Sequence, residues 1–340
     1  MSNTGSRPST YKPRVVVVSG GTDGMGRALA LGRARQGDHV IVIGSNPAKG
    51  QRVVAEAEQA GGGDRVRFIK ADLSSIAETR RAISEIASRH ESIDALCLFA
   101  NRQSPQRVLT SEGLERTFAL YYLSRYVLSH ELAPLLGRSV APVIVNVAGV
   151  GMTKGEIHWE DLQLEQSYST ITAQLQAGRA NDLLGVAFAG RPDNAVRYVL
   201  YHPGFTKSGD LTPLPAAARV FIRTAAALAA RPVARAVAPI HQFIDSPPAD
   251  ALSAIDRGKK LPLTLKTLDP ANAERLSTAT RALLTAPGAT ASGAADSARG
   301  WHGAEGSPRD VRIQMAHTRW LGGQLGEFTA RGSAPTPRRK

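Results

Sequence analysis

Residues 14–37 read RVVVVSGGTDGMGRALALGRARQG, and this stretch decides the fold. Four consecutive valines predict a short strand buried on both faces, as in a parallel α/β sheet. The glycines that follow the valines permit a tight turn, and they let backbone N–H groups approach a pyrophosphate at the N-terminus of the next helix. The stretch therefore predicts a dinucleotide-binding turn. The residues predicted to form it are Gly20, Thr22, Asp23, Gly24, Met25 and Gly26.

The end of the second predicted strand indicates which dinucleotide such a turn would hold. The strand HVIVIG ends at Gly44 and is followed by Ser45 and Asn46, where nicotinamide enzymes often place an acidic residue. A carboxylate there would hydrogen-bond the ribose hydroxyls of NAD and repel a 2′-phosphate, so its absence favours NADP(H) over NAD(H). Three basic residues lie nearby in the sequence: Arg27, Lys49 and Arg52.

A second informative stretch is an apolar strand, a loop and a helix start, VIVNVAGVGMTKGEIHWEDLQLEQSYSTITAQLQAGRAN, over residues 143–181. It resembles, without a gap, the active-site segment of the short-chain dehydrogenases/reductases, most closely their retinol-dehydrogenase-like branch. The positions that fall on the family's pattern are Asn146, Val147, Asp161, Leu162, Ser167, Tyr168, Ser169, Ala173, Ala180 and Asn181. Taken with the glycine turn, the resemblance covers roughly residues 12–285.

The resemblance implies a Rossmann-like, doubly wound parallel sheet in one α/β domain. The family's adenine-contacting Asp falls on Asp72, with Leu73 beside it. The fourth strand, IDALCLFAN, stands where the family has N-N-A-G and keeps only Ala100, so the asparagine that braces the sheet has no counterpart. The loop beside the nicotinamide falls on Pro203, Gly204 and Thr206, and Thr206 would bond the carboxamide.

The family's four catalytic residues are all replaced. Its Asn, Ser, Tyr and Lys fall on Tyr121, Gly149, Gln174 and Gly178, so the proton donor and the lysine that lowers its pKa are both missing. Loss of general acid help slows a reaction by roughly 10²–10⁴-fold without forbidding it. The resemblance therefore predicts a redox fold without its usual acid.

Three replacements for that acid stay open. Gln174 can donate an amide hydrogen bond to a carbonyl oxygen. A substrate with an acidic hydroxyl beside its carbonyl, such as a phenolic or quinone-like polyketide, can supply its own proton. Another side chain could also supply the proton from a different direction: Tyr121, Tyr122, Tyr168 or His158.

Arg179 lies one residue from the family's lysine position. One residue along a helix is a rotation of about 100°, so we expect the Arg179 side chain to face elsewhere.

Composition predicts one domain with appendages. We expect a disordered arm over residues 1–11 and a dinucleotide-binding domain over 12–285. The Ala-, Arg- and Pro-rich residues 211–239 stand where the family has its variable substrate lid. An Ala/Gly/Ser-rich linker (286–308), an amphipathic helix (309–330) and a basic tail (331–340) would follow.

Composition also excludes several classes of function. The net charge is +13, but the basic residues are scattered and interleave with no aromatic residues, so we expect no nucleic-acid binding. No apolar run approaches the roughly 18 residues that a membrane span needs. The histidines show no metal-ligand spacing, so no metal site is expected, and Cys97 lies alone in an apolar strand. A cytoplasmic protein follows by default.

The sequence thus predicts an atypical NADP(H)-dependent reductase of secondary metabolism that acts on a small carbonyl compound. Substrate-assisted proton transfer is the leading mechanism, and a homodimer is expected because the family often forms one. Two other classes stay open. One is a non-redox enzyme, such as a cyclase, isomerase or dehydratase, that uses the cavity for positioning. The other is a catalytically silent subunit of an active reductase.

Overall fold

The computed structural model describes residues 12–204 and 232–285. The strands are β1 (Val15–Ser19), β2 (His39–Gly44), β3 (Val66–Lys70), β4 (Ala95–Leu98), β5 (Val143–Val147), β6 (Arg197–His202), β7 (Leu252–Asp256) and β8 (Lys259–Lys260). They form one sheet in the order β3-β2-β1-β4-β5-β6-β7-β8. Every described pair is parallel except β7 with β8, which confirms the predicted parallel sheet.

The helices connect successive strands across both faces of the sheet. They are α1 (Gly24–Arg35), α2 (Pro47–Ala57), α3 (Ile76–Ala87), α4 (Arg116–Phe118), α5 (Ser124–Glu131), α6 (Ala133–Leu136), α7 (Thr170–Ala189), α8 (Val233–Asp245) and α9 (Pro270–Thr285). π-helical turns lie at Glu58–Gly62 and Ala119–Leu123, and 3₁₀ turns lie at Gly63–Arg65 and Lys266–Leu268.

The core lies in two layers, one on each face of the sheet. Helices α1, α2 and α8 cover one face, and α3, α5, α7 and α9 cover the other. Strand residues supply both layers alternately: Val16 and Val18 point to the first layer and Val17 to the second. The run of valines is therefore apolar at every position because both of its faces are covered, which confirms the doubly wound fold.

The strand order reverses direction between β1 and β4. From β1 the chain moves outward to β2 and β3, and then returns to place β4 on the other side of β1. Connections on the two sides therefore diverge at the carboxyl ends of these strands. In open α/β sheets this opening is where ligands bind.

The stretch FALYYLSRYVLSHELAPLL, residues 118–136, is not one regular helix. It consists of α4, the π-helical turn Ala119–Leu123, α5 and α6. The Ser124 hydroxyl donates to the Leu120 carbonyl oxygen at 2.6 Å, within the turn, and such back-bonding often bends a helix. Pro134, which has no N–H, stands in the first turn of α6 and explains the last break.

Several predicted segments lie outside the described residues: the arm 1–11, Thr206, most of the lid and everything after residue 285. Residues 233–239 of the predicted lid belong to α8, which packs on α1. Within the described ranges, no helix is long and apolar enough to span a bilayer.

Candidate active site

The glycine turn after β1 brings two backbones together in a way that a side chain would prevent. Gly20 has φ +71°, and a Cβ on it would lie 2.7 Å from the Ala100 amide nitrogen. A Cβ on Gly26, in the first turn of α1, would collide with the Gly20 carbonyl oxygen. Gly20 at the end of β1, Ala100 after β4 and Gly26 at the start of α1 therefore pack closely at one point, which glycine permits because it has no Cβ.

The N-terminus of α1 is capped by Asp23, whose carboxylate accepts from the Gly24 N–H at 2.8 Å. Its second oxygen lies 2.6 Å from the Lys49 ammonium, in an exposed ion pair. The Lys49 ammonium thus offsets the negative charge of the Asp23 carboxylate. This matters because the N-terminus of a helix such as α1 favours anions. Met25 is buried, so its side chain belongs to the core.

The ribose end of the predicted site is a shallow surface cleft of about 210 Å³ between the glycine turn and α2. Asn46 caps α2 by accepting from the Lys49 N–H at 3.0 Å, and Ser45 beside it is exposed. Arg52 is exposed and has no carboxylate partner among the described residues. The cleft is lined by three cations and two anions: Arg27, Lys49, Arg52, Asp23 and Glu56.

Asp72 follows β3 and already carries local hydrogen bonds. One of its carboxylate oxygens accepts from the Ser74 N–H at 2.9 Å and from the Ser74 hydroxyl at 2.7 Å. Its own N–H donates to Glu78 in α3, and Leu73 is buried. These bonds hold the Asp72 carboxylate at the carboxyl edge of the sheet, where the sequence predicted it to face an adenine.

Gln174 and Asn101 bind each other across the site. The Asn101 amide donates to the Gln174 oxygen at 3.0 Å, and the Gln174 amide donates back to the Asn101 oxygen at 3.2 Å. Both pairs of atoms are exposed. The Gln174 amide predicted as an electrophile is therefore held by a neighbour, and a substrate oxygen would have to displace that bond.

Tyr121 is buried in the π-helical turn Ala119–Leu123. π-helical turns of this kind are frequent at functional sites. Burial raises the pKa of its phenol, Asp182 raises it further, and Arg125 and a backbone hydrogen bond from Gly149 act to lower it. The side chain that the resemblance aligns with the family's Asn is therefore part of the buried core.

Asp182 lies on the face of α7 below Gly178. It is 1% exposed, and one carboxylate oxygen accepts from the Gly151 N–H at 3.1 Å. Its other oxygen, Oδ1, has no hydrogen-bond partner within the described part of the chain. Burial raises the pKa of this carboxyl from 3.8 to about 7, against smaller opposing effects of the Gly151 bond and Arg179.

Arg125 braces the ends of β4 and β5 from beneath. Its guanidinium donates to the Asn146 side-chain oxygen, to the Val147 carbonyl at 2.9 Å and to the Ala100 carbonyl at 2.9 Å. It also lies over the Tyr121 ring, 4.7 Å from its centroid. Burial lowers the pKa of Arg125 to about 10, so it stays charged at neutral pH. This side chain joins the strands that the missing family asparagine would be expected to join.

Two of the remaining candidate proton donors, Tyr168 and Tyr122, have hydrogen-bond partners for their hydroxyls. The Tyr168 hydroxyl donates to the Ser104 carbonyl at 2.8 Å, and the Tyr122 hydroxyl lies 2.7 Å from the Thr280 hydroxyl. Burial raises the pKa of both phenols. The backbone of His158 binds Gln176. Arg179 donates to the Met152 carbonyl at 2.7 Å, on the loop after β5.

The loop after β6 begins with Pro203 and Gly204, and Gly204 has φ +84°. His202, the last residue of β6, lies 2.8 Å from the Asp256 carboxylate at the end of β7. This pair links the carboxyl ends of β6 and β7. No group of three or more His, Cys, Asp or Glu side chains with metal-binding geometry occurs within residues 12–204 and 232–285.

Asp182 and Arg125 were missed by the sequence analysis. Comparison with a family motif draws attention to the positions at which that motif has a defined residue. The motif has no defined residue at position 125 or at position 182. The available signal was local: each is a charged residue close to several apolar residues of a helical stretch, YYLSRYVL and AGRANDLLG. A charge at such a place is rarely buried without a specific partner or role.

Comparison with known proteins shows what the chain is similar to. Residues 14–161, which are less than half of the chain, match the family model described as short chain dehydrogenase. The sheet order and the glycine turn described above agree with this similarity.

Among individual relatives, human polyprenol dehydrogenase is 31% identical over 168 residues, which cover 48% of this chain and 51% of that protein. Human retinol dehydrogenase 11 is 28% identical over 196 residues, or 57% of this chain and 62% of that protein. The matched segment thus spans about half the length of the polyprenol dehydrogenases, at 51% of the human and 53% of the mouse protein.

Solved structures share the fold at low sequence identity. A short chain dehydrogenase from Salmonella enterica is 19% identical with a TM-score of 0.55, and the match covers 75% of this chain and 100% of that one. A short-chain dehydrogenase from Streptomyces avermitilis is 19% identical with a TM-score of 0.53, covering 81% and 96%. A structure from Escherichia coli complexed with NADPH is 18% identical with a TM-score of 0.53, covering 72% and 97%.

Proposed function

We propose that the protein is an NADP(H)-dependent reductase of a small carbonyl compound that works without the family's Tyr–Lys acid. The observation that carries this proposal is the glycine turn that leads from β1 into the N-terminus of α1, at the point where the strand order reverses. Gly20 and Gly24 in this turn have φ +71° and +52°, and a helix N-terminus at this edge of a parallel sheet favours a phosphate.

The residues present fit a dinucleotide. The α1 N-terminus and the glycine turn would hold the pyrophosphate, and Asp72 would face the adenine. Arg52 and Lys49 would lie beside a 2′-phosphate, and Ser45 and Asn46 place no carboxylate against it. When bound, the cofactor supplies a hydride. The chain's part is to position the carbonyl and to stabilise the charge that develops on its oxygen.

A carbonyl substrate would lie between the Gln174–Asn101 pair and Tyr121. Both amides can donate to a carbonyl oxygen once their mutual bonds open. Names of relatives such as retinol and polyprenol dehydrogenase refer to alcohols that interconvert with carbonyl compounds, which supports this reaction class for the present chain.

Cofactor oxidation with matched product formation tests this function. Purified protein would be given NADPH and a panel of aldehydes, ketones and quinones, half of them carrying a hydroxyl next to the carbonyl. We expect one alcohol formed per NADPH consumed, at a rate well below that of a reductase with a Tyr–Lys pair. Gly24→Asp, which adds a carboxylate where the pyrophosphate should lie, is the matched inactive control. Conversion of a substrate without NADPH consumption would instead support a non-redox enzyme.

A further inference from the structure

His202 and Asp256 form a hydrogen-bonded pair at the carboxyl ends of two adjacent strands. His202 is the last residue of β6 and lies opposite Asp256, the last residue of β7, in the parallel ladder. The His202 Nδ1 is 2.8 Å from an Asp256 carboxylate oxygen. Arg257 supports the pair: its backbone N–H donates to the His202 carbonyl at 2.8 Å, and its guanidinium donates to the Asp256 carboxylate at 2.9 Å. Nδ1 is therefore the anchored end of the imidazole.

This anchor determines which atom of the ring is available for chemistry. Burial acts to raise the pKa of the Asp256 carboxyl, but hydrogen bonds from His202 and Arg257 outweigh it and hold that pKa at about 2. An ionised carboxylate can only accept, so Nδ1 carries the hydrogen of the bond. Nε2 has no hydrogen-bond partner within residues 12–204 and 232–285, and the His202 side chain is 29% exposed. Nε2 is therefore the atom that can exchange a proton with a ligand.

The ladder between β5 and β6 brings His202 beside the loop that follows β5. The Ala148 N–H donates to the Tyr201 carbonyl at 3.1 Å, so the pairing continues one residue past Val147 and sets His202 opposite Ala148. The next residue of the loop is Gly149, onto which the resemblance aligns the family's serine. His202 therefore lies next to a position that is catalytic in the family and has no side chain here.

The His202 side chain lies on the face of the sheet that α7 covers. Tyr198 and Leu200 belong to the core layer under α7, so the alternation along β6 directs His202 to the same side. A Cβ on Gly185 would lie 3.0 Å from the Leu200 side chain. Two strand residues advance about 6.6 Å toward the carboxyl edge, a little more than one turn of a helix that runs antiparallel to the strand. His202 thus lies beneath the turn of α7 that begins at Gly178, where an added Cβ would meet no described atom within 4 Å outside its own helix. This leaves room for a ligand beside that turn.

We propose that His202 is the proton donor of the reduction, with Nε2 giving its proton to the carbonyl oxygen and Asp256 holding the ring through Nδ1. This inference rests on the proposed reductase function and assigns the chain's own acid in place of a substrate hydroxyl. NADPH, when bound, supplies the hydride that forms the new C–H bond and becomes NADP⁺. The π electron pair of the carbonyl moves to oxygen, which takes the Nε2 proton to give the alcohol. The neutral imidazole then regains a proton from solvent. His202 is a catalytic residue in this scheme, and Asp256 is a positioning residue.

The first arm of the test needs neither cofactor nor substrate. Nitrogen NMR spectra of the imidazole rings at mildly alkaline pH should show His202 as the Nδ1–H tautomer. Asp256→Asn should change this tautomer, because an amide can donate to Nδ1 whereas a carboxylate cannot. Asp250→Asn, at an exposed carboxyl before the start of β7, is the matched control and should leave the spectrum of His202 unchanged. An Nε2–H tautomer in wild type, or a tautomer indifferent to Asp256→Asn, would overturn the proposal.

The second arm measures NADPH-dependent reduction of carbonyl compounds that carry no hydroxyl, with 4-nitrobenzaldehyde as the first probe. His202→Asn is the informative variant, since its amide nitrogen can take the place of Nδ1 and keep the bond to Asp256 while Nε2 is lost. We expect its kcat to be about 10²-fold lower than that of wild type, with KM little changed. His39→Asn, at an exposed residue on the opposite edge of the sheet, should keep the wild-type rate.

The pH profile separates an acid from a structural link between strands. Wild-type kcat should fall as pH rises through the range in which histidine loses its proton, and His202→Asn should lose this dependence. Among the described residues, the charged groups that contact the imidazole or its partner are Asp256 and Arg257. The Asp256 carboxyl, with its pKa at about 2, stays ionised through that range, and arginine stays charged. Asp256→Asn should lower kcat by less than His202→Asn and should shift the pH at which kcat falls.

The outcomes separate this proposal from the one on which it rests. If wild type oxidises NADPH and His202→Asn retains its rate and pH profile, His202 is not the acid and the reductase stands. Reduction confined to substrates with a hydroxyl beside the carbonyl would likewise overturn the role of His202. If wild type neither binds nor oxidises NADPH, the reductase is wrong and this proposal fails with it. If urea unfolding shows that His202→Asn does not fold, Asp256→Asn decides, and an unchanged rate and pH profile in that variant would overturn the proposal.

Discussion

At the scale of single residues, two charged side chains, Arg125 and Asp182, are buried near the end of β5. Arg125 favours a Tyr121 phenolate, and Asp182 opposes it. Neither has an ion-pair partner within 4 Å among the described residues. Burying such groups is costly unless hydrogen bonds compensate, so each should have a measurable effect on stability.

Arg125→Met should destabilise the protein by about 3–5 kcal/mol. Methionine fills similar volume but leaves the Ala100 and Val147 carbonyls and the Asn146 side-chain oxygen without their donor. Urea unfolding measures the change. Arg138→Met, which removes one exposed bond to the Glu91 carbonyl, is the control and should cost less than about 1 kcal/mol. A loss at Arg125 no larger than at Arg138 would show that the brace is dispensable.

Asp182→Asn should change how stability depends on pH. The pKa of this carboxyl is about 7 in the folded chain and near its ordinary 3.8 when unfolded. Stability that the protonated carboxyl contributes is therefore complete below pH ~4 and is lost as pH rises through 7. The variant should match wild type at pH 4 and exceed it by up to about 4 kcal/mol at pH 8. Asp250→Asn, at an exposed carboxyl whose pKa Lys260 lowers, should show no such gain.

At the scale of elements, the site depends on backbone geometry at two turns. The glycine turn after β1 brings Gly20 against Ala100, and the π-helical turn Ala119–Leu123 places the Tyr121 ring against the Arg125 guanidinium. Sequence patterns predicted the first because a positive φ and a close approach select glycine. They did not predict the second, because a π-helical turn depends on how the helix packs and has no fixed residue signature.

Comparing Gly20→Ala with Gly61→Ala separates two costs of adding a Cβ. One is the backbone strain of a positive φ, and the other is the steric clash with a neighbouring backbone. Both glycines have positive φ, +71° and +78°, but a Cβ on Gly61 meets nothing within 4 Å. Gly61→Ala should cost about 1 kcal/mol, from backbone strain alone. Gly20→Ala should cost at least about 2 kcal/mol more and should weaken NADPH binding. Equal losses in the two variants would mean that the Gly20–Ala100 approach is not tight.

At the scale of the whole molecule, the two edges of the sheet have different roles. The dinucleotide turn, Asp72, Asn101 and Gly149 all lie at the carboxyl ends of strands. Loops such as the one before β5, which holds Arg138, lie at the other edge. The net charge of +13 would attract an anionic cofactor from any direction, so affinity alone does not identify the binding edge.

Charge reversal at one edge identifies the cofactor site. Arg52→Glu should weaken NADPH binding about 10-fold or more and leave NADH binding within about two-fold, because only NADPH carries a 2′-phosphate. Arg138→Glu, with the same change in net charge at the opposite edge, should leave the ratio of the two affinities unchanged. Calorimetric titration of both variants at fixed salt measures the effect. Equal weakening of NADPH and NADH by Arg52→Glu would contradict the assigned phosphate position.

Features of this molecule that depend on local sequence pattern could be predicted, and features that depend on residues far apart in the sequence could not. The parallel sheet and the turn at Gly20 depend on local pattern, and the structure contains both. The occupied amide of Gln174 depends on Asn101, which is 73 residues away in sequence. The burial of Asp182 depends on packing between α7 and the loop after β5. No periodicity in one segment carries such long-range information.

The measurement that tests the central claim most directly is calorimetric titration of the wild-type protein with NADPH and then with NADH. We predict saturable binding of NADPH at micromolar concentrations and weaker binding of NADH. Binding of neither would contradict the account. It would mean that the glycine turn is kept for folding alone, and that the reaction, if there is one, is not a cofactor-dependent reduction.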